Sequence, residues 1–258
     1  MNEIAVLSRG RADMLMGRKL TLSWLQYSVV PVVLWVHQDE AELYSLVAEQ
    51  YKIQLRTHTA DRVSRIRDVI IEDAHERGVD KLGIFDDDLG FRVRKDGKLS
   101  SMPEDRINDA IVPLFKNVSE KFPMVALRYH IYAHTQTGTW GINKRIMWTP
   151  VLHVPTLLKE EFKYEWEGDI LEDFHMQLQL VQAGYTTAVL NLFTADDQIR
   201  SLTHTGCNLY RTNEMRTTAA KLLKAKFPAQ VALREKFDKY TQETYTDVTV
   251  RFFQSVTD

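Results

Sequence analysis

Residues 81–88 read Lys81-Leu82-Gly83-Ile84-Phe85-Asp86-Asp87-Asp88, a short apolar run that ends on three carboxylates. A run of this length bounded by charge reads as a buried strand. Three adjacent carboxylates repel one another and raise each other's pKa. A divalent cation turns that repulsion into attraction, and oxygen ligands suit Mg²⁺ or Mn²⁺. In an extended segment Asp86 and Asp88 face the same side, so both can approach one diphosphate-bound metal. A solvated acidic loop tip or a helix N-cap is the competing reading. Position at the end of an apolar strand favours the metal.

Upstream, residues 4–7, 29–36 and 53–55 are further apolar runs. Between them, residues 40–50 place Leu43, Leu46 and Val47 on one helical face, and residues 62–77 do the same with Val63, Ile66, Ile70 and Ala74. Strands alternating with helices predict an α/β fold with a mostly parallel sheet. Ligands of such sheets bind at the carboxyl ends of the strands. There the sequence puts Ser8-Arg9-Gly10-Arg11, His37, Thr57-His58 and the three aspartates. Arg9, Arg11, Arg62 and Arg65 are candidates for pairing with phosphate or stacking near a base; Arg62 and Arg65 also read as a solvated helix face.

Downstream, Lys95-Asp96-Gly97-Lys98 is a turn between two short extended pieces, and residues 103–121 form a helix lined by Ile107, Ile111, Leu114 and Val118. Residues 124–127 and 186–193 read as buried strands, and residues 147–158 as extended, interrupted by Pro150 and Pro155. The segment 129–141, with Tyr129, His130, Tyr132, His134, Gln136 and Trp140, mixes aromatic faces with hydrogen-bonding groups that suit sugars and bases. A polar loop with anchoring aromatics accounts for it equally well. Glu172 and Asp173 open a helix closed by Gly184. The helix dipole alone explains acids at that position; the functional reading is a general base or a group holding the acceptor. His204, between Thr203 and Thr205-Gly206, is a candidate for folding back onto a metal–diphosphate, though a lone histidine is more often structural.

The chain has 258 residues and a formal net charge of -2, so no global positive field draws it onto nucleic acid. Locally, Arg211, Arg216, Lys221, Lys224 and Lys226 fall on or beside a basic helix over residues 214–227, and one face of it could track phosphates. Cys207 is the only cysteine, which excludes an intramolecular disulfide and a cysteine-based zinc site. No run reaches the roughly 18 apolar residues of a membrane span, and the N-terminus lacks a basic stretch followed by a long apolar one, so a cytoplasmic protein is expected. Without repeats or linkers, the expectation is one domain over residues 1–210 with a helical extension, 211–258, packed on it.

Taken in order, the first strand ending in Ser8-Arg9-Gly10-Arg11, the Ile84-Phe85-Asp86-Asp87-Asp88 stretch, Glu172-Asp173 and Thr203-His204-Thr205-Gly206 resemble the GT-A glycosyltransferases. The resemblance implies that Asp86 and Asp88 bind Mn²⁺ or Mg²⁺ on the donor diphosphate, with His204 a possible third ligand. Ser8, Arg9, Arg11, Arg62, Arg65, Asp86 and Asp87 would then surround a nucleotide-sugar such as a UDP-sugar. Asp173, beside Glu172, is the base candidate. The tail from Thr203 to Arg211 is similar, more narrowly, to the TET/JBP-associated glycosyltransferases, phage enzymes that glycosylate hydroxymethylated pyrimidines in DNA. The implied reaction moves a sugar onto a base hydroxymethyl group. The competing expectations are a sugar-nucleotide nucleotidyltransferase, against which the single glycine of Ser8-Arg9-Gly10-Arg11 argues, and a non-catalytic nucleic-acid-binding accessory protein.

Overall fold

The computed structural model describes residues 1–130, 138–199, 211–238 and 241–253. Its first half is an alternation of strand and helix: β1 (Asn2–Ser8), α1 (Ala12–Gly17), α2 (Thr21–Leu25), β2 (Val32–His37), α3 (Ala41–Tyr51), β3 (Gln54–His58), α4 (Val63–Glu76) and β4 (Lys81–Asp86). Strands β1 to β4 pair in parallel in the order β3-β2-β1-β4. After β4 the chain turns through Asp87 and Asp88 into β5 (Leu89–Lys95), which forms a hairpin with β6 (Lys98–Ser101). Asp96 and Gly97 both have positive φ (51° and 76°), as a tight hairpin turn requires.

The remaining elements are α5 (Ile107–Asn117), β7 (Met124–Tyr129), β8 (Trp140–Ile142), β9 (Val151–His153), α6 (Val154–Lys159), α7 (Glu172–Gln182), β10 (Thr187–Asp197), α8 (Asn213–Lys226), β11 (Val231–Asp238) and β12 (Glu243–Val250). Among the described residues the main sheet has ten strands, in the order β3-β2-β1-β4-β9-β7-β10-β5-β6, with β8 also on β10. Because β9 is antiparallel to both β4 and β7, those two run the same way, and β10 runs parallel to β7. The sheet is therefore mostly parallel, as expected.

A sheet covered on both faces needs strands with continuous apolar runs, and residues 4–7 of β1 and 82–85 of β4 supply them. On one face Ile4, Val6, Leu34 and Phe85 pack with Ile111 and Leu114 of α5. On the other, Ala5, Val33, Trp35 and Ile84 pack with Ile66 and Ile70 of α4 and with Met176 and Leu180 of α7.

Three expectations are revised. On α3, Val47 is buried together with Tyr44 and Ala48, but Leu43 and Leu46 are 51% and 55% exposed. The buried stripe is rotated by one position toward Tyr44, whose hydroxyl reaches Ser8 at the end of β1. Residues 147–158 are not extended throughout: Pro155 sits in the first turn of α6, where a missing N–H leaves nothing unsatisfied. The C-terminal stretch is helical in α8, which starts at a Thr212 cap accepting from the Met215 N–H, and then becomes the antiparallel β11–β12 hairpin.

This C-terminal part is joined to the sheet layer by a third apolar cluster. Trp166, Phe174 and Leu178 meet Ala219, Leu223, Phe227, Val231 and Val248 there. Phe227 is 1% exposed. Phe227→Ala should therefore lower unfolding stability by about 3–5 kcal/mol, the cost of a large aromatic removed from a packed site, as read from the midpoint of denaturant unfolding. A loss below about 1 kcal/mol would mean that the C-terminal part adds little to the cooperative unit.

Candidate functional site

The carboxyl ends of β1, β3, β4 and β10 and the N-terminal turns of α4 and α7 enclose a cleft of about 600 Å³. This is where a parallel sheet leaves strand ends and helix N-termini pointing together. Asp86, Asp87, Asp88, Ser8, Arg9, Arg11, Glu172 and Asp173 all line it. Arg62 and Arg65 do not. Arg65 pairs with Glu72 at 3.0 Å, and Arg62, largely exposed, faces Asp169 at 3.9 Å. His204 lies outside the described residues, as do Tyr132, His134 and Gln136 of the aromatic segment.

The aspartate turn is clamped by its neighbours. Thr21 donates to the Asp86 carbonyl (2.6 Å) and accepts from the Leu89 N–H (2.9 Å), bridging the two ends of the turn. The Asp88 carbonyl accepts from the Gln198 N–H at 2.8 Å. The side chains diverge, each toward a cation, so Asp86 and Asp88 do not face the same side as the extended segment predicts. Arg11 Nη1 donates to Asp87 Oδ1 at 2.5 Å and to Asp88 Oδ2 at 2.8 Å. Ser8 Oγ donates to Asp87 and shares a hydrogen bond with the Tyr44 hydroxyl. Asp86 turns to the opposite wall, where Arg67 Nη2 donates to its Oδ1 at 3.0 Å.

Arg67 is the residue that sequence reasoning missed. It is buried, stands with its guanidinium carbon 5.3 Å from the centre of the Tyr164 ring, and lies 3.9 Å from Asp173 as well as beside Asp86. It thus ties the strand-end aspartates to the first turn of α7. Its Nε and Nη1 find no hydrogen-bond acceptor among the described residues. The signal was present: an arginine four residues after Val63 and three before Ile70 falls within the apolar stripe of α4, where an ordinary solvated cation has no place.

The electrostatics follow from burial and like charge. Burial pushes the Asp88 carboxyl up to about 8, reinforced by Asp87 and Asp86 and opposed by Arg11. Asp86 and Asp87 are raised as well, chiefly by burial. Burial pushes Asp173 up to about 7, with Arg67 opposing and Glu172 and Asp86 adding to the shift. A carboxyl poised there can take up a proton at neutral pH. At the β3 end, burial and the edge-on ring of His37, 5.6 Å away, push His58 down to about 4, leaving a neutral imidazole in the cleft wall.

Further lining residues lay outside the sequence reading, namely Asp61, Arg145 and Asp197, and Arg211, expected on a phosphate-tracking face, lines this cleft instead. Asp197 ends β10, and its Oδ1 is buried without a hydrogen-bond donor among the described residues. Arg211 approaches Glu172 at 3.7 Å. Two cleft residues, Trp148 and Leu171, have positive φ (52° and 65°), a strained backbone state for bulky side chains. The Trp148 carbonyl accepts from the Asp86 N–H, and its ring meets Tyr129 edge-on at 4.5 Å.

Clustered carboxylates, guanidinium groups and a raised carboxyl across the cleft make this a site for a charged, polar ligand. The sequence model of the TET-Associated Glycosyltransferase family matches residues 2–203, and the chain belongs to that family. It is a glycosyltransferase that uses a nucleotide-sugar donor. No curated protein matches the sequence. Among solved structures the fold is similar to a mannose-1-phosphate geranyltransferase from Thermus thermophilus (15% identity, 76% of each chain, TM-score 0.51). It is also similar to S. aureus TarS 1-349, alone (8% identity, TM-score 0.51) and in complex with UDP (9% identity, TM-score 0.50), over 86% of this chain and 65% of that one.

The crowding of carboxylates has a measurable cost in stability. Asp88 titrates near 3.8 when unfolded and at about 8 in the fold. A raised carboxyl pKa favours the native state while the group is protonated and loses that advantage as pH rises between the two values. Asp88→Asn should therefore raise the thermal midpoint at pH 8 and flatten its fall between pH 5 and 8, in protein without ligand. A variant with the wild-type pH dependence and a lower midpoint throughout would show that the ion pair with Arg11 outweighs the burial and repulsion.

Proposed function

We propose that the cleft binds a UDP-sugar and transfers its sugar to the hydroxymethyl group of a pyrimidine in DNA. The observation that carries the reading is the arrangement of Asp173 across from the aspartate turn, with Arg67 reaching both. In this reading the donor lies against the aspartate turn and the base on the facing wall of the same cleft. The family match supports glycosyl transfer, the UDP complex of the similarly folded TarS supports uridine as the nucleotide, and the family resemblance supports the acceptor.

The residues fit a divalent cation. The cleft lining carries Asp61 and Asp197 besides the three strand-end aspartates and the Glu172-Asp173 pair, against the guanidinium groups of Arg9, Arg11, Arg67, Arg145 and Arg211. Carboxylates outnumber cations before any diphosphate arrives, so an anionic donor needs further positive charge to enter. Mg²⁺ and Mn²⁺ sites on nucleotides take one or two carboxylates and complete their shell with phosphate oxygens and water. No three described carboxylate, histidine or cysteine side chains converge on one point, and Asp86 and Asp88 turn to different arginines. Asp86 and Asp88 would hold the ion after turning from Arg67 and Arg11, which are then released toward the diphosphate, and the unpartnered Asp197 oxygen could approach as a third ligand. Bound there, it would neutralise charge on the departing diphosphate.

The chain's own residues do the rest. Ser8, Arg9 and Arg11 at the end of β1 bind the nucleotide and its phosphates. Arg67 orients Asp173 through the charge of its Nη2, 3.9 Å away. The Asp173 carboxylate accepts the proton of the acceptor hydroxyl as the hydroxyl oxygen bonds to the anomeric carbon and the bond to the diphosphate breaks. Glu172, held near Arg211, keeps a second negative charge beside it. That charge and burial set the proton affinity of Asp173 near neutrality.

Mass spectrometry of hydroxymethylated DNA incubated with a panel of UDP-sugars and Mn²⁺ tests the reading. A mass increase of one hexosyl or pentosyl group, abolished by chelation, is expected. Transfer to plain DNA or to a small sugar alone would replace the acceptor, and full activity in chelator would remove the metal. Asp173→Asn should lower kcat by about a hundredfold or more while donor affinity stays within twofold. For the wild type, kcat/KM should rise with pH through about 7 as Asp173 loses its proton. Near-normal turnover in the variant would take the base role from Asp173.

A further inference from the structure

A second depression adjoins the cleft and shares two walls with it, Arg145 and Phe174. Its volume is about 460 Å³. Its cations are Arg128, Lys144, Arg145, Arg234 and Arg251, and among the described residues no carboxylate lines it. The donor cleft is rich in acid, so the contrast in charge falls along the shared wall.

We propose that this groove carries the backbone of a nucleic-acid acceptor strand and delivers one of its bases across Arg145 and Phe174 into the donor cleft. The inference rests on the acceptor reading above and says where that acceptor lies. A row of guanidinium and ammonium groups with no lining acid is complementary to phosphodiesters. The groove also offers rings. Arg145 stacks over Phe174 at 4.3 Å, Phe174 lies nearly parallel to Phe252 (16°, centroids 6.1 Å apart), and Phe253 beside them is 43% exposed. Phe174 is itself buried, so Phe253 is the ring left open, and an exposed aromatic face next to a cationic track suits a strand with unpaired bases.

The cations are mounted on ordered backbone. Buried Gln177 of α7 accepts from the Ile146 N–H and donates to the Lys144 carbonyl (2.7 Å) and to Thr187, which fixes the segment carrying Lys144 and Arg145. Arg251 is fixed at the foot of the β11–β12 hairpin by its N–H to the Gln230 carbonyl, at 2.9 Å. Arg128 sits on β7, inside the sheet. Arg234 shares its charge with Asp247 at 2.7 Å, and Arg145 also faces the charge of Asp173.

The basic helix α8 is the poorer candidate. Arg216 turns to Asp238 and over the Tyr245 ring, Lys224 donates to the Pro228 carbonyl, and Arg211 faces Glu172 in the donor cleft. Lys221 and Lys226 are the cations of that run left exposed on the helix.

Binding of a fluorescent single-stranded oligonucleotide, followed by anisotropy at several salt concentrations, tests the groove. Lys144→Glu with Arg251→Glu should weaken binding by about tenfold or more at low salt. It should also reduce the salt slope by about 1.4, near 0.7 for each phosphate that is no longer neutralised. Lys221→Glu with Lys226→Glu, an equal change in net charge, should leave both within twofold. Phe253→Ala should weaken oligonucleotide binding but not binding of inorganic polyphosphate, which has no bases. UDP affinity reports on folding in each variant; if charge reversal lowers it, Lys144→Gln with Arg251→Gln replaces that pair. Unchanged oligonucleotide binding in the groove variants, or a larger loss in the α8 pair, overturns the groove while DNA glycosylation by the wild type keeps the acceptor reading. Equal response of oligonucleotide and polyphosphate to Phe253→Ala overturns the stacking role and with it the assignment to nucleic acid. A wild type that binds no oligonucleotide yet glycosylates a small acceptor overturns both.

Discussion

Three neighbouring carboxylates at the end of a buried strand can coexist only if each finds positive charge, and the site is arranged around that requirement. Arg11 reaches them from the loop after β1 and holds Asp87 and Asp88. Arg67 reaches them from α4 and holds Asp86. The two arginines come from opposite walls, so compensating the charge also sets the width of the cleft. Tyr44, fully buried on α3, accepts from the Arg11 N–H and meets Ser8, which carries the constraint into the layer of helices behind the sheet. Arg67 carries it toward α7 and Asp173. Burial raises the carboxyl pKa values and the guanidinium groups oppose that rise, leaving a set of acids held near the point of protonation at neutral pH. Such a balance is unfavourable for folding and useful for moving protons and phosphates.

Much of this was readable in the sequence because its causes are local. The alternation of apolar runs and amphipathic helices up to residue 86 is enough to order four parallel strands, and the rule that ligands gather at strand ends then collects Ser8, Arg9, Arg11 and the aspartates. Other parts depend on tertiary contacts with no local signature. Strand β9 is three residues long and lies between two prolines, Pro150 and Pro155. It is a strand because β4 and β7 stand on either side of it. Strand β11 is exposed at almost every position after Val231, so it shows no alternation of apolar and polar residues to betray it. On α3 the periodicity of Leu43, Leu46 and Val47 is real, but the buried side is chosen by Tyr44, whose polar tip is needed at the site.

The charged residues divide in the same way. The aspartates are visible because they interrupt an apolar run. Arg67 is hidden because it looks like one more cation on a helix, and only its place within the stripe of Val63, Ile66 and Ile70 distinguishes it. Counting cations on α8 suggested a phosphate-tracking face, whereas the fold gives Arg211, Arg216 and Lys224 partners of their own. Net charge along a helix says little until the acids and carbonyls that the fold brings against it are known.

The short strand β9 has a mechanical meaning. Among the described residues, the strand order takes every step from the β3-β2-β1-β4 half of the main sheet to the β7-β10-β5-β6 half through it. It pairs with β4 at Lys81, Leu82 and Gly83 and with β7 at Met124 and Val125. The sheet therefore has a seam three residues long. Its cleft end is at Trp148, whose carbonyl takes the Asp86 N–H. Asp86 stands on one side of the seam, at the end of β4, and Asp88 on the other, with the Asp197 end of β10. Asp88 and Leu89 are tied to that end of β10 by the Gln198 N–H and the β5–β10 pairing, so a small relative rotation of the two halves would move Asp86, on β4, against Asp88 and Asp197.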